Sequence, residues 1–399
     1  RMLEAGGRYG GLETVLVARD PAGYLVAACK NYRLEEYIAG AAMPMLGLAA
    51  VAVAPSHRRR GLGARICTAA IHTAVDRGEV VSVLYPFRPD YYERLGWGLV
   101  GSLHEYRFRT SALGPTEEVR YVRRAAIDQD AAPLAACYGR VAACSNGPIR
   151  RDRQVWAYRL YGEELGVRPL DAEAVWTARA DPKLRAIVFD DDRVSGYALL
   201  RYVQKASPEQ HTLQVRELMA EDERAYRGLL GYIAGQHDQW PLARHYARPG
   251  ERFGDRLREP RPPGFRGARS LYFPTARVVR GPMLRVLDVP AALRARPLFD
   301  AGGPEPITFT LTIADDQRPA NAGPWTVRVD EDGGNEVTEG TSKAADASLQ
   351  TDASTFARIF AGEISVTDAV RVDRARASNG TGLDRVFATR EEFWLLDEF

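Results

Sequence analysis

Residues 48–64 read Leu-Ala-Ala-Val-Ala-Val-Ala-Pro-Ser-His-Arg-Arg-Arg-Gly-Leu-Gly-Ala, and they decide the fold. The small apolar run over 47–54 has the character of a strand buried on both faces. Pro55 ends it, three arginines follow, and a Gly-x-Gly turn opens the next element. From about 61 to 77 the apolar residues fall on two adjoining helical rows. Leu62, Ile66, Ala70 and Ala74 make one, and Cys67, Ile71 and Val75 make the other. Gly78 stands at the expected stop. A strand feeding a glycine-rich turn at a helix N-terminus makes a cradle of backbone N–H groups suited to a pyrophosphate. Gly61 and Gly63 allow close backbone approach, and the arginines add charge-assisted hydrogen bonds. A plain surface turn whose basic residues cap a helix is the competing reading.

Working outward, strands are predicted over 14–19 and 25–31, joined by the turn Asp20-Pro21-Ala22-Gly23. A strand over 80–84, a short helix over 91–95 and a strand over 98–109 complete an α/β domain. After Gly114-Pro115 the pattern runs again. A strand-like run begins at 119, strands follow over 172–180, 184–190, 194–205 and 210–219, and a helix covers 222–236. No Arg-x-x-Gly-x-Gly turn recurs, so this is a degenerate repeat without a phosphate site. A third region holds a short helix over 291–295 and a half-buried strand over 307–313 with its partner over 325–329. A strand over 347–351 and a helix over 352–361, capped by Asp352 or Ser354, follow. The end, Phe393-Trp394-Leu395-Leu396-Asp397-Glu398-Phe399, is apolar enough to dock into a cleft. The expected domains are 1–113, 114–284 and 285–399.

Composition narrows the function. A chain of 399 residues, 45% hydrophobic and 27% charged, is long enough for several globular domains. The net charge of +2 gives no bulk attraction to nucleic acid. The loop carrying Arg256, Arg258, Arg261, Arg266 and Arg269 has only Phe265 among its arginines, so it reads as a solvated face and not a stacking platform. No apolar run reaches about 18 residues, so no membrane span is expected. Cys29, Cys67, Cys137 and Cys144 have neither zinc spacing nor the density of a disulfide scaffold, and the six histidines are scattered. The expectation is a cytoplasmic protein with no metal site.

Three segments carry a resemblance. Val51 to Gly61 match the pattern Val-Ala-Val-Ala-Pro-x-His-Arg-Arg-Arg-Gly. Tyr92-Glu93-Arg94-Leu95-Gly96-Trp97-Gly98 follows a Tyr-x-Arg-Phe-Gly-Tyr-Gly element, and the sequence closes on Glu398-Phe399. Together they resemble the Eis (enhanced intracellular survival) family of GCN5-related N-acetyltransferases, over nearly the whole chain. The resemblance implies an α/β (α+β) fold of tandem acetyltransferase-like mixed-sheet domains followed by a sterol-carrier-protein-like domain. It also implies a homo-hexamer and, from the family's usual element order, a strand and one or two helices before Arg1. Acetyl-CoA would contact Val51, Ala52, Val53, Arg59, Arg60, Gly61, Leu62, Gly63, Ala64, Phe87 and Arg88. The last pair departs from the small polar and acidic residues of the family. Tyr92 matches the family's general acid and the terminal carboxylate of Phe399 its general base. By their own letters, Tyr92 also reads as a packing tyrosine and Phe399 as an inert end.

Chemistry asks for both roles. An amine attacks a thioester only as the free base, and neutralising an ammonium of pKa about 10.4 at pH 7 costs roughly 4–5 kcal/mol. The strand over 45–54 contains no acid, so a base must come from elsewhere. A tyrosine with a reference pKa near 10 stays protonated and can supply the leaving thiolate. Glu398 is expected to draw a cationic amine inward. Cys67 reads as packing, so direct attack in a ternary complex is expected. The acceptor would be an aminoglycoside, a polyamine-like molecule or a lysine amine. The alternatives are a lipid or sterol carrier and an acetyl-CoA-sensing protein with vestigial activity.

Overall fold

The computed structural model describes residues 10–157, 159, 184–267, 271–298, 306–330 and 334–399; the strand expected over 172–180 lies outside them. Strand β1 (Val15–Arg19) turns into β2 (Leu25–Ile38), where the Asp20 side chain accepts from the Ala22 and Tyr24 N–H groups at 3.0 and 2.9 Å. Then come β3 (Ala41–Val53), α1 (Leu62–Asp76), β4 (Val81–Leu84), α2 (Pro89–Glu93), β5 (Gly98–Leu99) and β6 (Leu103–Arg109). Helix α1 buries Ile66, Cys67, Ala70, Ile71 and Ala74, the face its periodicity predicts.

The middle of the chain holds β7 (Val122–Arg124), α3 (Ile127–Ala143), α4 (Arg153–Ala157), β8 (Leu184–Asp191), β9 (Arg193–Val203) and β10 (Thr212–Ala220). Helix α5 (Glu223–Ala234) starts at Asp222, whose side chain accepts from the Ala225 N–H. Strands β11 (Leu242–Ala247), β12 (Arg277–Val279) and β13 (Met283–Val286) follow. The last third contains α6 (Val289–Ala295), β14 (Ile307–Ala314), β15 (Trp325–Val329), β16 (Asn335–Glu339) and β17 (Ala347–Asp352). Asp352, not Ser354, caps α7 (Ala353–Phe360). Helix α8 (Val366–Arg371), β18 (Ala375–Ser378) and α9 (Gly380–Phe387) complete it.

Three mixed sheets result, with orders β1-β2-β3-β4-β13-β5, β12-β6-β11-β10-β9-β8-β7 and β16-β15-β14-β17-β18. Sheet membership does not follow chain order. One strand is expected over 98–109, but Gly101, at φ +67°, breaks it in two. β5 stays in the first sheet while β6 pairs with β11 in the second. Strand β13 returns after the whole second sheet and slots between β4 and β5. The run over 119–123 is mostly a 3₁₀ turn (Glu117–Tyr121) leading into β7.

One apolar core runs from the first sheet into the third. Met43, Met45, Val81, Val83 and Leu284 pack in the same cluster as Phe309, Leu311, Phe356 and Phe360. The opposite face of the first sheet packs Leu46, Leu48 and Leu84 against α1. Arg285, fully buried, ties the two domains together, donating to the Leu95 carbonyl at 2.6 Å and to both Asp315 oxygens at 2.7 Å.

Candidate active site

Strands β3 and β4 run parallel but pair only from Met45↔Val81 to Gly47↔Val83. β3 continues to Val53 without a partner on that side, so a cleft opens beyond Gly47. A bulge sharpens the divergence. Ala49 faces Lys30 and Ala52 faces Ala28, which leaves Ala50 and Val51 opposite Cys29 alone, with Ala50 at φ +49°. An extra residue in a ladder leaves backbone groups unpaired and increases the local twist. Val51, Ala52 and Val53 therefore present a strand edge to the cleft.

The turn after Pro55 has the form of an anion cradle. Arg59 and Gly61 have φ of +59° and +75°, a pattern that turns successive N–H groups toward one point. Arg59, Arg60 and Gly61 are exposed, Leu62, Gly63 and Ala64 half-buried. Among the described residues no carboxylate pairs with Arg59 or Arg60. A Cβ on Gly63 would lie 2.5 Å from the Tyr91 hydroxyl, so only glycine lets the helix start this close to that ring. These donors fit the pyrophosphate of an acyl-CoA.

Tyr92 sits on the α1 face of the first sheet, in one cluster with Leu46, Leu48, Cys67 and Trp97. It is 4% exposed and meets the Trp97 ring edge-on at 6.1 Å. Burial, then Cys67 and Tyr91, raises its hydroxyl well above the ordinary tyrosine value. Neighbouring Tyr91 is pushed up to about 12, also chiefly by burial. Phe87 is exposed and stacks against Tyr91 and Tyr92 at 5.5 and 5.6 Å, while Arg88 is held by Asp90 at 2.7 Å. Cys67 is fully buried and its thiol is raised to about 12 by burial, consistent with packing.

The C-terminal segment threads between all three domains. Phe393, Trp394 and Leu395 are buried, as their composition predicts. Phe393 fits against Gly101 and Trp394 against Gly147, where a Cβ would come within 2.7 and 2.3 Å of them. Asp397 is bound by Arg151 (3.0 Å), which also chelates Glu217 at 2.8 and 2.9 Å and lies 3.8 Å above the Tyr138 ring. Arg159 also contacts both carboxylates. Burial would raise the Glu217 carboxyl, but Arg151 and Arg159 outweigh it and hold it well below the usual range. The Tyr85 hydroxyl donates to the Asp397 carbonyl at 2.7 Å.

This anchoring delivers Phe399 to the cleft. Its ring meets Tyr85 at 5.8 Å and Tyr32 at 6.5 Å, both edge-on. A Cβ on Gly47 would stand 3.1 Å from two of its ring carbons. Side chains alternate across a strand. Tyr92 therefore packs with Leu46 and Leu48 on one face of β3, and Phe399 lies over Gly47 on the other. Next to it a cavity of about 450 Å³ is lined by Tyr85, Leu395, Leu396 and Glu398 from this side and by strands β9, β10 and β11 from the other. Glu398 and Phe399 are thus brought together with the cleft. Tyr32, Tyr85 and the Arg151–Glu217–Asp397 cluster were not evident from the sequence. A lone glycine in an apolar strand, Gly47, was the one available signal of a close approach.

Comparison with known proteins identifies the domains. An acetyltransferase (GNAT) domain matches residues 2–116, a second matches 147–286, and a sterol carrier protein domain matches 289–396. A Streptomyces griseus protein called an uncharacterized N-acetyltransferase is 27% identical over 392 residues, 95% of this chain and 88% of its own. The N-acetyltransferase Eis of Mycobacterium tuberculosis is 41% identical over 63 residues, 16% of each chain. The crystal structure of Eis1 from Mycobacterium abscessus shares the fold, with a TM-score of 0.74 at 23% identity over 97% of this chain and 90% of its own. GNAT domains use acetyl-CoA or a related acyl-CoA, which the cradle at Arg59–Ala64 suits. The cleft of β3 and β4 thus belongs to an Eis-like N-acetyltransferase of the GNAT family, two such domains in tandem and a sterol carrier protein domain behind them.

Proposed function

We propose that this enzyme moves an acetyl group from acetyl-CoA to a primary amine by direct attack with both substrates bound. Tyr92 acts as general acid and the terminal carboxylate of Phe399 as general base. The observation that carries the reading is that Phe399 lies over Gly47, the last residue of β3 to pair with β4, at the mouth of the cleft whose strand edge leads on to the Arg59–Ala64 cradle. A bound acyl-CoA supplies the acyl group as an activated thioester. The N–H groups around Arg59 to Ala64 hold its pyrophosphate, the edge from Val51 to Val53 aligns its arm, and Phe87 and Arg88 border it. The Phe399 carboxylate takes the proton that the attacking amine gives up. The Tyr92 hydroxyl, protonated at neutral pH, gives its proton to the departing sulfur as the carbon–sulfur bond breaks. Glu398 faces the amine side of the cavity. Cytoplasmic location, which the few scattered cysteines favour, and a homo-hexamer, which the resemblance implies, belong to the same proposal. Among the described residues no helix is long and apolar enough to cross a membrane. The lipid-carrier reading rests on the sterol carrier protein domain match, and Phe393 and Leu395 of the tail pack into the apolar core of that domain.

The test separates base from packing. Deleting Phe399 is expected to lower kcat by about 10² or more without changing the Kd for acetyl-CoA. Adding one glycine after Phe399 keeps the ring but moves the carboxylate by about 3.5 Å, and the same loss is expected. Full turnover by the extended chain rules out the base assignment. Tyr92→Phe is expected to lower kcat with little change in KM for acetyl-CoA.

A further inference from the structure

The chain is poor in lysine. Its 54 basic residues include four, Lys30, Lys183, Lys205 and Lys343, and the rest are arginines. Lys205 and Lys343 are exposed, outside the strands and helices, and Lys183 lies outside the described residues. Lys30 is different. It stands in the middle of β2 and is 9% exposed. Lysines are rarely buried without a paired charge. Among the described residues the Lys30 ammonium has no ion pair or hydrogen bond, and it lies 5.3 Å from the centroid of the Tyr32 ring. The exposed Glu13 carboxyl is held below the usual range first by the Gly11 N–H and its own, and Lys30 adds least.

Strand register puts this amine at the cleft. Residues two apart share a face of a strand, so Lys30 and Tyr32 stand side by side. Tyr32 pairs with Gly47 and Lys30 with Ala49. This is the face on which Phe399 lies over Gly47, its ring 6.5 Å from that of Tyr32. Ala49 is the last residue before the bulge at Ala50 and Val51, where the edge that faces the cleft begins. The flexible four-carbon stem of a lysine has to cross one strand spacing, about 4.8 Å, to bring its amine over β3.

We propose that Lys30 is a site of self-acetylation: with no acceptor in place, the centre passes the acetyl group of its bound acetyl-CoA to the Lys30 amine. This inference rests on the transferase reading. The Lys30 ammonium first gives one proton to water. The free amine attacks the thioester carbonyl, a carbon–nitrogen bond forms and the carbon–sulfur bond breaks. Nitrogen loses a second proton as the amide forms, and sulfur takes one up to leave as the CoA thiol. One ammonium and one thioester thus give one amide, one thiol and one proton. The amide is neutral, so the modification removes a positive charge from the acceptor face.

The other lysines make the test internal. The full chain is incubated with isotope-labelled acetyl-CoA and no added amine, and the label is located by intact mass and peptide mapping. Uncatalysed acetylation by a thioester favours exposed amines, so Lys205 and Lys343 are the references. Lys30 is expected to take up label roughly tenfold faster than either, or more, as proximity predicts. At saturating acetyl-CoA its rate per molecule is expected to stay constant on dilution of the protein. Desulfo-CoA, which fills the cleft without a thioester, is expected to suppress the label on Lys30 and leave that on Lys205 and Lys343 unchanged. Lys30 reacting no faster than the two exposed lysines overturns the proposal. So does a rate that desulfo-CoA leaves untouched, or one that falls in proportion on dilution, which would mean transfer between molecules. Thiol release with a panel of free amines is followed in parallel. If amines are consumed while Lys30 stays unlabelled, the proposal has failed and the transferase reading stands. If neither reacts, both have failed.

Discussion

Glu36 is a fully buried carboxylate on β2 whose two oxygens have no hydrogen-bond partner among the described residues. Burial pushes its pKa well above the usual carboxylate range, so the folded chain keeps it protonated. The unfolded chain ionises it above pH about 4.3. Between those two values folding must take up a proton, and stability is lost as pH rises, by up to about 1.4 kcal/mol per pH unit. Glu36→Gln removes this term. Its Tm relative to the wild type is therefore expected to improve from pH 5 to pH 8, with the smallest difference near pH 4; parallel Tm curves would count against the argument. The same scale explains what single residues reveal in advance. Gly61 and Gly63 are legible because a cradle needs glycine locally. Glu36 is not, because it stands next to Glu35, one on each face of the strand, and nothing local says which is covered; its bridge partner Ile149 comes from a distant part of the chain.

Arg151 shows how elements depend on one contact. Lying just before α4, it joins Glu217 of β10 to Asp397 of the tail, with no side-chain exposure at Arg151 or Glu217. Removing one partner of a buried ionic cluster leaves an uncompensated charge and costs about 3–5 kcal/mol. Arg151→Met is expected to lose stability of that order in urea melts. It is also expected to lower kcat, because Asp397 fixes the approach of Phe399. Unchanged kcat in the folded variant would mean that the tail holds its place without this anchor. Elements built by local pattern were readable. Helix α1, the span of α5 and the β14–β15 pair stand where periodicity puts them, and one of the two expected residues, Asp352, caps α7. Elements defined by distant pairing were not. Nothing near Met283 announces that β13 belongs beside β4.

For the molecule as a whole, the first sheet is completed by a strand that follows the second. A chain cut at residue 116 keeps β1 to β6 but exposes the edges of β4 and β5, a template for wrong pairing. Such a fragment is expected to aggregate on expression, and fusing residues 280–287 to its end is expected to raise its soluble yield. A soluble, monomeric fragment without that addition would show that β13 is dispensable to the sheet. The β13 arrangement also sets a schedule during synthesis. Ribosomes add roughly 5–20 residues per second, so the nascent first sheet waits on the order of 10–40 s for its missing strand. Over that interval an open apolar edge stands in the cell, which makes this half of the chain a natural client for chaperones that bind extended segments.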